Sequence, residues 1–194
     1  MSEFERTEWD RRYREGDYRP RAAPSPFLEE WLPRLPGGRA LDLACGTGRN
    51  ALRLAEAGLV VEAVDISGVA IEIASSEAVV RALDIEWRAA DLDSLELDPG
   101  GYDLITVFRY INRPLWPRLT AALAPNGFLV IEHHLDSPLE VEGPRQPEFR
   151  LRPQELLRAF LDLRVVHYSE TIETEGGSTF ALARLVACQG DPGW

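Results

Sequence analysis

The chain has 194 residues, 45% hydrophobic and 27% charged, with a formal net charge of -11. That length folds most simply as one domain with a full core. The acidic balance excludes a broad nucleic-acid or anionic-membrane surface, and no run approaches the ~18 apolar residues of a spanning helix. The two cysteines, Cys45 and Cys188, form neither a disulfide framework nor a zinc cluster, so no metal is expected. Met1-Ser2-Glu3-Phe4-Glu5-Arg6 lacks the apolar core of a signal peptide. The expected setting is therefore the cytoplasm, and the expected partner is a small molecule, with no nucleic acid and no membrane.

Residues 4–15 carry Trp9 and Tyr13 at a spacing that puts both on one helical face. Such a face ordinarily just packs onto a domain. A Gly-, Pro- and Ser-rich connection over 16–26 follows. It leads to a short amphipathic helix, Phe27-Leu28-Glu29-Glu30-Trp31-Leu32, ended by Pro33, Pro36, Gly37 and Gly38. Residues 1–36 thus read as a helical preface able to cover a site on the core, 37–194.

Ala40-Leu41-Asp42-Leu43-Ala44 reads as a buried strand and Cys45-Gly46-Thr47-Gly48 as a glycine turn. Arg49-Asn50-Ala51-Leu52 begins a helix that runs to Ala57, with Gly58 as its cap. Gly46 and Gly48 let the chain turn sharply and a ligand come close. The helix aims its free N–H groups at that ligand. Gly46-Thr47-Gly48-Arg49-Asn50-Ala51 also fits the looser dinucleotide pattern. Asp42 discriminates between ligands, because a carboxylate at a strand tip repels a pyrophosphate and suits an ammonium group. The methionine end of S-adenosylmethionine carries one. The plain alternative is a strand-end Asp that caps a turn.

Leu59–Val64 is a second buried strand ending at Asp65, 17 residues after Gly48, close to where a ribose-binding carboxylate sits in nucleotide folds. Ser67 is placed to cap a helix through Leu83. Ile85–Ala90 alternates as a third strand and stops at Asp91-Leu92-Asp93, where Asp91 and Leu92 suit an adenine edge. Tyr102–Phe108 is the fourth strand, with Arg109-Tyr110 at the edge where open α/β sheets bind ligands. A helix over Pro114–Ala124 and the turn Pro125-Asn126-Gly127 lead into a fifth strand, Phe128–Glu132, followed by His133-His134. The polar stretch 135–152 has the length of a functional loop. A helix over Pro153–Leu161 precedes Leu163–Glu170 and Thr179–Ala187, two strands joined through Glu175-Gly176-Gly177-Ser178 as an antiparallel hairpin. The expected fold is α/β: a Rossmann-like, doubly wound, mostly parallel seven-stranded sheet built from five β-then-α units, ending in that hairpin, with helices on both faces.

On these residues the chain resembles the class I S-adenosylmethionine-dependent methyltransferases over nearly its whole length. The carriers are Asp42-Leu43-Ala44-Cys45-Gly46-Thr47-Gly48, then Asp65, Asp91-Leu92 and Pro125-Asn126-Gly127. Trp9-Asp10-Arg11-Arg12-Tyr13, Gly48-Arg49-Asn50, Phe108-Arg109-Tyr110 and the loop Gly143–Phe149 are similar to the branch containing tellurite-resistance and thiopurine S-methyltransferases. The resemblance implies a single methyltransferase domain over 1–194 that takes S-adenosylmethionine. Asp42 would hold the methionine ammonium, Gly46, Gly48 and Asn50 would line the cofactor, and Asp65 with Ile66 would take the ribose. Asp91 and Leu92 would read adenine, and Phe108 and Arg109 would lie near the sulfonium. Trp9, Arg12 and Tyr13 would fold over the cofactor as part of a lid. Glu132-His133-His134 departs from the Thr or aromatic residue expected after the acid, and Asn126 stands where Gly is frequent.

Methyl transfer to a thiol, chalcogen oxyanion or other small nucleophile needs mainly alignment, whereas a hydroxyl or ammonium acceptor also needs a base. His133 and His134 are the candidate bases, and on a strand they point to opposite faces, so at most one enters the pocket. Tyr110, His133 and Arg145 are candidate acceptor-binding residues, and Arg150 is a further cation for an anionic acceptor. Cys45, in a tight loop with no adjacent base, is not a nucleophile. Two other classes share the glycine loop: a non-catalytic S-adenosylmethionine-binding protein and a nicotinamide-dependent oxidoreductase. Asp42 and the final hairpin oppose the second.

Overall fold

Apolar runs too short for a helix and rich in Leu, Val and Ile pair side by side because only a sheet satisfies their backbone groups while burying both faces. The computed structural model describes residues 3–175 and 177–193; Met1, Ser2, Trp194 and Gly176, which belongs to the expected connection between the last two strands, lie outside the described residues. The strands are β1 (Arg39–Leu43), β2 (Val60–Asp65), β3 (Ile85–Ala89), β4 (Tyr102–Phe108), β5 (Leu123–His134), β6 (Arg164–Glu175) and β7 (Ser178–Cys188). They form one seven-stranded sheet in the order β3-β2-β1-β4-β5-β7-β6. β1 to β5 run parallel, and β7 is antiparallel to both β5 and β6. The order reverses between β1 and β4, so the crevice at their C-terminal tips is where a ligand is expected.

The helices are α1 (Glu3–Glu15), α2 (Pro26–Trp31), α3 (Arg49–Glu56), α4 (Gly68–Val80), α5 (Trp116–Ala122) and α6 (Glu155–Ala159). Strand alternation sends Leu41, Ile105 and Leu129 to one face, where they meet Leu119 of α5 and Leu156 of α6. Ala40, Val61, Leu104 and Val130 go to the other, against Phe27 and Leu28 of α2 and Leu54 of α3. Among the described residues, no helix is long and apolar enough to cross a membrane.

The elements depart from expectation in four places. The β3-to-β4 crossover carries no helix, so the sheet has four helical crossovers or returns where five were expected. α4 stops at Val80, before Leu83, because Ala82 turns left-handed (φ 54) and the Leu83 amide folds back onto the Ala78 carbonyl at 2.9 Å. The Pro125-Asn126-Gly127 turn is absorbed into β5, with Asn126 at φ 64 and a register shift against β4. β6 runs five residues beyond Glu170, to Glu175, paired along its length with β7.

Arg150 is not presented to an acceptor. Its buried guanidinium donates to the carbonyls of Pro144 (2.7 Å), Leu135 (3.1 Å), Val141 and Glu142 (both 3.3 Å), closing the loop that follows β5. Arg113 pins the far end through the Glu148 and Arg150 carbonyls and the Glu155 carboxylate. Arg150→Ala strands the buried Leu135 carbonyl and three part-buried ones, and is expected to destabilise the protein by about 2–4 kcal/mol, measured by urea unfolding. A loss under ~0.5 kcal/mol, the range of ordinary surface changes, would show that the clamp is dispensable.

Candidate functional site

Three left-handed residues, Ala44 (φ 53), Gly46 (φ 55) and Gly48 (φ 80), turn the chain sharply from β1 into α3. Each glycine answers to a different neighbour. A Cβ on Gly48 would fall 2.5 Å from the Trp87 ring and 3.0 Å from the Ala74 Cβ, so this glycine serves internal packing as well as the turn. A Cβ on Gly46 would fall 2.9 Å from the Tyr13 hydroxyl, which lies directly over the loop.

Asp42 stands beside Thr106 in the β1–β4 register. It is 1% exposed. Its Oδ1 accepts the Thr106 hydroxyl at 2.7 Å, and its Oδ2 is buried without a hydrogen-bond partner. Burial pushes its pKa up to about 7 despite Thr106, Arg49 and the Ala51 amide, which act the other way. A buried carboxylate with an orphaned oxygen is a seat for a donor, and an ammonium group fits it.

At the tip of β2, Asp65 accepts the Gly46 amide at 2.8 Å on one oxygen and the Ser67 amide at 2.9 Å on the other. Burial raises its pKa, and those two amides oppose the rise. Ser67 caps α4 through Ala70 at 3.1 Å and donates its hydroxyl to Asp10 at 2.6 Å, which fastens α1 to the start of α4. Trp9, Tyr13 and Tyr18 pack together with centroids 5.4–5.9 Å apart. Arg12 stays on α1, over Trp9 at 5.1 Å and bonded to Glu8 at 2.9 Å.

The remaining expected cofactor residues divide by neighbour. Asp91 accepts the Asp93 amide at 2.9 Å, while Leu92 and Ile66 are buried beside the β3 and β2 tips. Asn50 turns inward and takes the Ser25 amide at 2.9 Å, tying the N-terminal connection to α3. Phe108 is buried with the α2–α3 face of the core.

Arg109 is held left-handed (φ 61), its amide on the Glu132 carbonyl at 2.8 Å and its guanidinium 3.2 Å from the Glu132 carboxylate. A bulky side chain in that conformation costs of the order of 1 kcal/mol and marks a position the surroundings enforce. Glu132 is shared with Arg184 at 2.6 Å, and Arg184 also holds Glu173. The His134 ring lies 3.4 Å from the Arg109 guanidinium. His133 points to the opposite face, giving the Phe149 carbonyl a 2.9 Å contact and lining a cavity of about 10 Å³ with Tyr110, Asn112, Trp116 and Leu156. Burial lowers His133 to about 4 and His134 to about 3, with Arg109 adding to both. The Tyr110 hydroxyl accepts from Asn112 at 3.2 Å, and burial pushes it up to about 12. Arg145 is exposed on the loop after β5.

Sequence reasoning missed Arg21 and Glu132 as site residues and gave Arg49 no role. Burial lowers the pKa of Arg49, with Arg21 next, while Glu132 and Asp42 counter it. The signal for Arg49 was its place after Gly48; Arg21 sits in an irregular stretch with no motif.

The Asp42 burial has a measurable consequence. Between pH 4 and about 7 the native carboxyl keeps a proton that the unfolded chain has lost, so native stability falls as pH rises through that window. Asp42→Asn is expected to flatten this dependence and to gain on the order of 3 kcal/mol over wild type between pH 4.5 and pH 7.5. Urea unfolding at the two pH values measures it, and parallel wild-type and variant profiles would refute the assignment.

Residues 40–127 match the family model described as a methyltransferase domain. The chain is 29% identical over 122 residues to the ubiquinone biosynthesis O-methyltransferase of Bordetella avium (strain 197N), a match covering 58% of this chain and 51% of that protein. It is 35% identical over 86 residues to the protein of the same name from Coxiella burnetii (strain Dugway 5J108-111), covering 44% and 36%. The chain spans about half the length of the curated relatives it matches. Among solved structures, TehB from Haemophilus influenzae superposes with a TM-score of 0.74 at 18% identity, covering 92% of this chain and 66% of that one. A protein solved in work on the conversion of a disulfide bond into a thioacetal group during echinomycin biosynthesis gives 0.74 at 21%, covering 96% and 93%. These likenesses establish the fold. The stretch 40–127 is similar to a methyltransferase domain, and the proteins of known structure that share this fold include S-adenosylmethionine-dependent methyltransferases. The cofactor of that class is S-adenosylmethionine.

Proposed function

We propose that this protein moves a methyl group from S-adenosylmethionine to a small nucleophile, and that the orphaned Asp42 oxygen receives the methionine ammonium. Asp42 is the observation that carries the reading: a second anion pressed against it, as a dinucleotide would bring, is opposed by charge. Asp65 takes the ribose hydroxyls, and Leu92 with Asp91 meets the adenine edge. Arg49, which feels the charges of Glu132 and Asp42, is the partner for the methionine carboxylate. This places adenosine over β2 and β3, the methionine chain over β1, and the acceptor beyond them over β4 and β5.

The cofactor supplies a methyl already activated on a sulfonium. The chain's own work is to align the acceptor, exclude water and leave the histidines neutral. Alignment of this kind contributes up to roughly 7–11 kcal/mol. With His133 and His134 held near 4 and 3, neither is tuned as a base for neutral pH, where a pKa close to 7 serves best. A nucleophile that ionises without help, such as a thiol, is favoured. Residues 1–36 act as the lid, with Tyr13 over Gly46 and Asp10 on Ser67. The motifs of α1 and the glycine turn support a place in the branch with tellurite-resistance and thiopurine S-methyltransferases.

Calorimetric titration is expected to show binding of S-adenosylmethionine and none of NAD. Asp65→Ala, verified as folded by circular dichroism, is expected to weaken that binding by about 1–3 kcal/mol. NAD binding without S-adenosylmethionine binding would overturn the reading in favour of an oxidoreductase. The binding-only alternative rests on a separate result: no S-adenosylhomocysteine released from any thiol, chalcogen oxyanion, phenol or amine. Deleting residues 1–18 is expected to abolish most turnover while the core still unfolds cooperatively, because α1 contributes no buried residue. A truncated protein that no longer folds would make the segment structural.

A further inference from the structure

His133 brings a bare nitrogen to a small cavity. Its Nε2 lies 2.9 Å from the Phe149 carbonyl, which can only accept, so Nε2 carries the ring hydrogen. Nδ1 is then a lone pair, and it is buried without a hydrogen-bond partner on a residue only 2% exposed. The ring lines a cavity of about 10 Å³ under the tips of β4 and β5, walled by Val107 and Ile131 of those strands and by Leu115, Trp116 and Leu156. A volume of that size admits one group no larger than a water oxygen. Tyr110 and Asn112, both half-buried, also line it and form its rim. The Tyr110 hydroxyl accepts from Asn112 at 3.2 Å and still has its own proton to give. No Asp, Glu, Lys or Arg lines the cavity.

We infer that the methyl acceptor carries a neutral hydroxyl group that enters this cavity and donates to His133 Nδ1, while the nucleophile elsewhere on the same small molecule meets the methyl group. The inference rests on the methyltransferase reading and narrows it. A carboxylate has no hydrogen to offer a bare nitrogen. An ammonium group would be stripped of water between walls that hold no acid to pair it, which is costly. A hydroxyl satisfies Nδ1 by donating, and its oxygen can take the Tyr110 proton, so both of its roles are used. The cavity has room for the oxygen and none for a chain behind it. The carbon framework therefore stays at the rim beside Tyr110, which follows Arg109 at the β4 tip, the place proposed for the acceptor. Burial holds His133 near 4, so the hydroxyl keeps its proton and serves as an anchor, not as the nucleophile. A site built to pair a hydroxyl rejects an analogue that lacks it, because the buried acceptor is then left unmatched. His133 is thus a specificity residue for the acceptor, acting through the tautomer that the Phe149 carbonyl selects.

The test titrates phenol and fluorobenzene, alike in shape but different in the donor, into the full-length protein by calorimetry, with and without S-adenosylhomocysteine. Phenol is expected to bind at least tenfold more tightly than fluorobenzene, and His133→Phe to remove the difference. Nitrogen NMR of the chain's 3 histidines is expected to show the His133 Nδ1 resonance moving upfield as phenol is added. In turnover, at least one of ortho-, meta- and para-mercaptophenol is expected to exceed its fluorothiophenol counterpart at least tenfold in kcat/KM. Equal binding of phenol and fluorobenzene, or a preference that survives His133→Phe, overturns the inference. An Nδ1 resonance that phenol does not move also overturns it, in favour of a water held permanently in the cavity. Benzoate binding more tightly than phenol overturns it in favour of an anion. The wild-type titrations and the NMR need no variant, so a poorly folding His133→Phe does not blunt them. Failure of S-adenosylmethionine to bind would count against the methyltransferase reading, while the phenol titration without nucleoside still decides the hydroxyl site.

Discussion

A carboxylate removed from water with one oxygen unpartnered is costly to keep, by several kcal/mol when ionised. Asp42 is held in that state by the parallel pairing of β1 with β4, which sets Thr106 beside it, while its other oxygen is left without a hydrogen-bond partner. The arrangement is cheap to maintain only while the group is protonated or while a cation sits on it. The glycine turn and the start of α3 follow directly from the strand that carries this group, and the Tyr13 hydroxyl lies over Gly46 in that turn. The sheet order matters for the same reason: reversal between β1 and β4 opens the crevice into which Asp42 faces.

The other acids at the strand tips are treated differently. Asp65 is satisfied by two amides, one from the glycine turn and one from the start of α4, so it braces the loop even before any ligand is considered. Glu132 is satisfied by two arginines, one just after β4 and one on β7. The tips of β1, β2 and β5 therefore present one hungry carboxylate, one amide-bonded carboxylate and one paired with cations. That gradient of partners gives the crevice a direction across the sheet.

Much of this was legible in the residues. Asp42 and Asp65 end apolar strands, and glycines follow at spacings that only a turn explains. The parallel core and the closing hairpin followed from apolar runs and breakers. What escaped depends on contacts distant in sequence. Nothing near Gly48 announces that Trp87, on another strand, fills the place of its side chain. Arg109, just after β4, and Glu132, Glu173 and Arg184, on β5, β6 and β7, meet only through the sheet register. Arg150 looked like a surface cation because its four carbonyl partners lie in an irregular loop. The left-handed Ala82 shortened α4 at a residue type that gives no such warning.

Gly48 and Trp87 also tie the turn to the sheet's edge. The indole ring is wedged beneath the backbone of the turn, and the ring is only partly buried. Displacement of the turn by a few tenths of an ångström changes the contacts, and with them the polarity, around a native fluorophore. The molecule therefore carries an internal optical gauge of its own loop, one of five tryptophans, readable without attaching a dye.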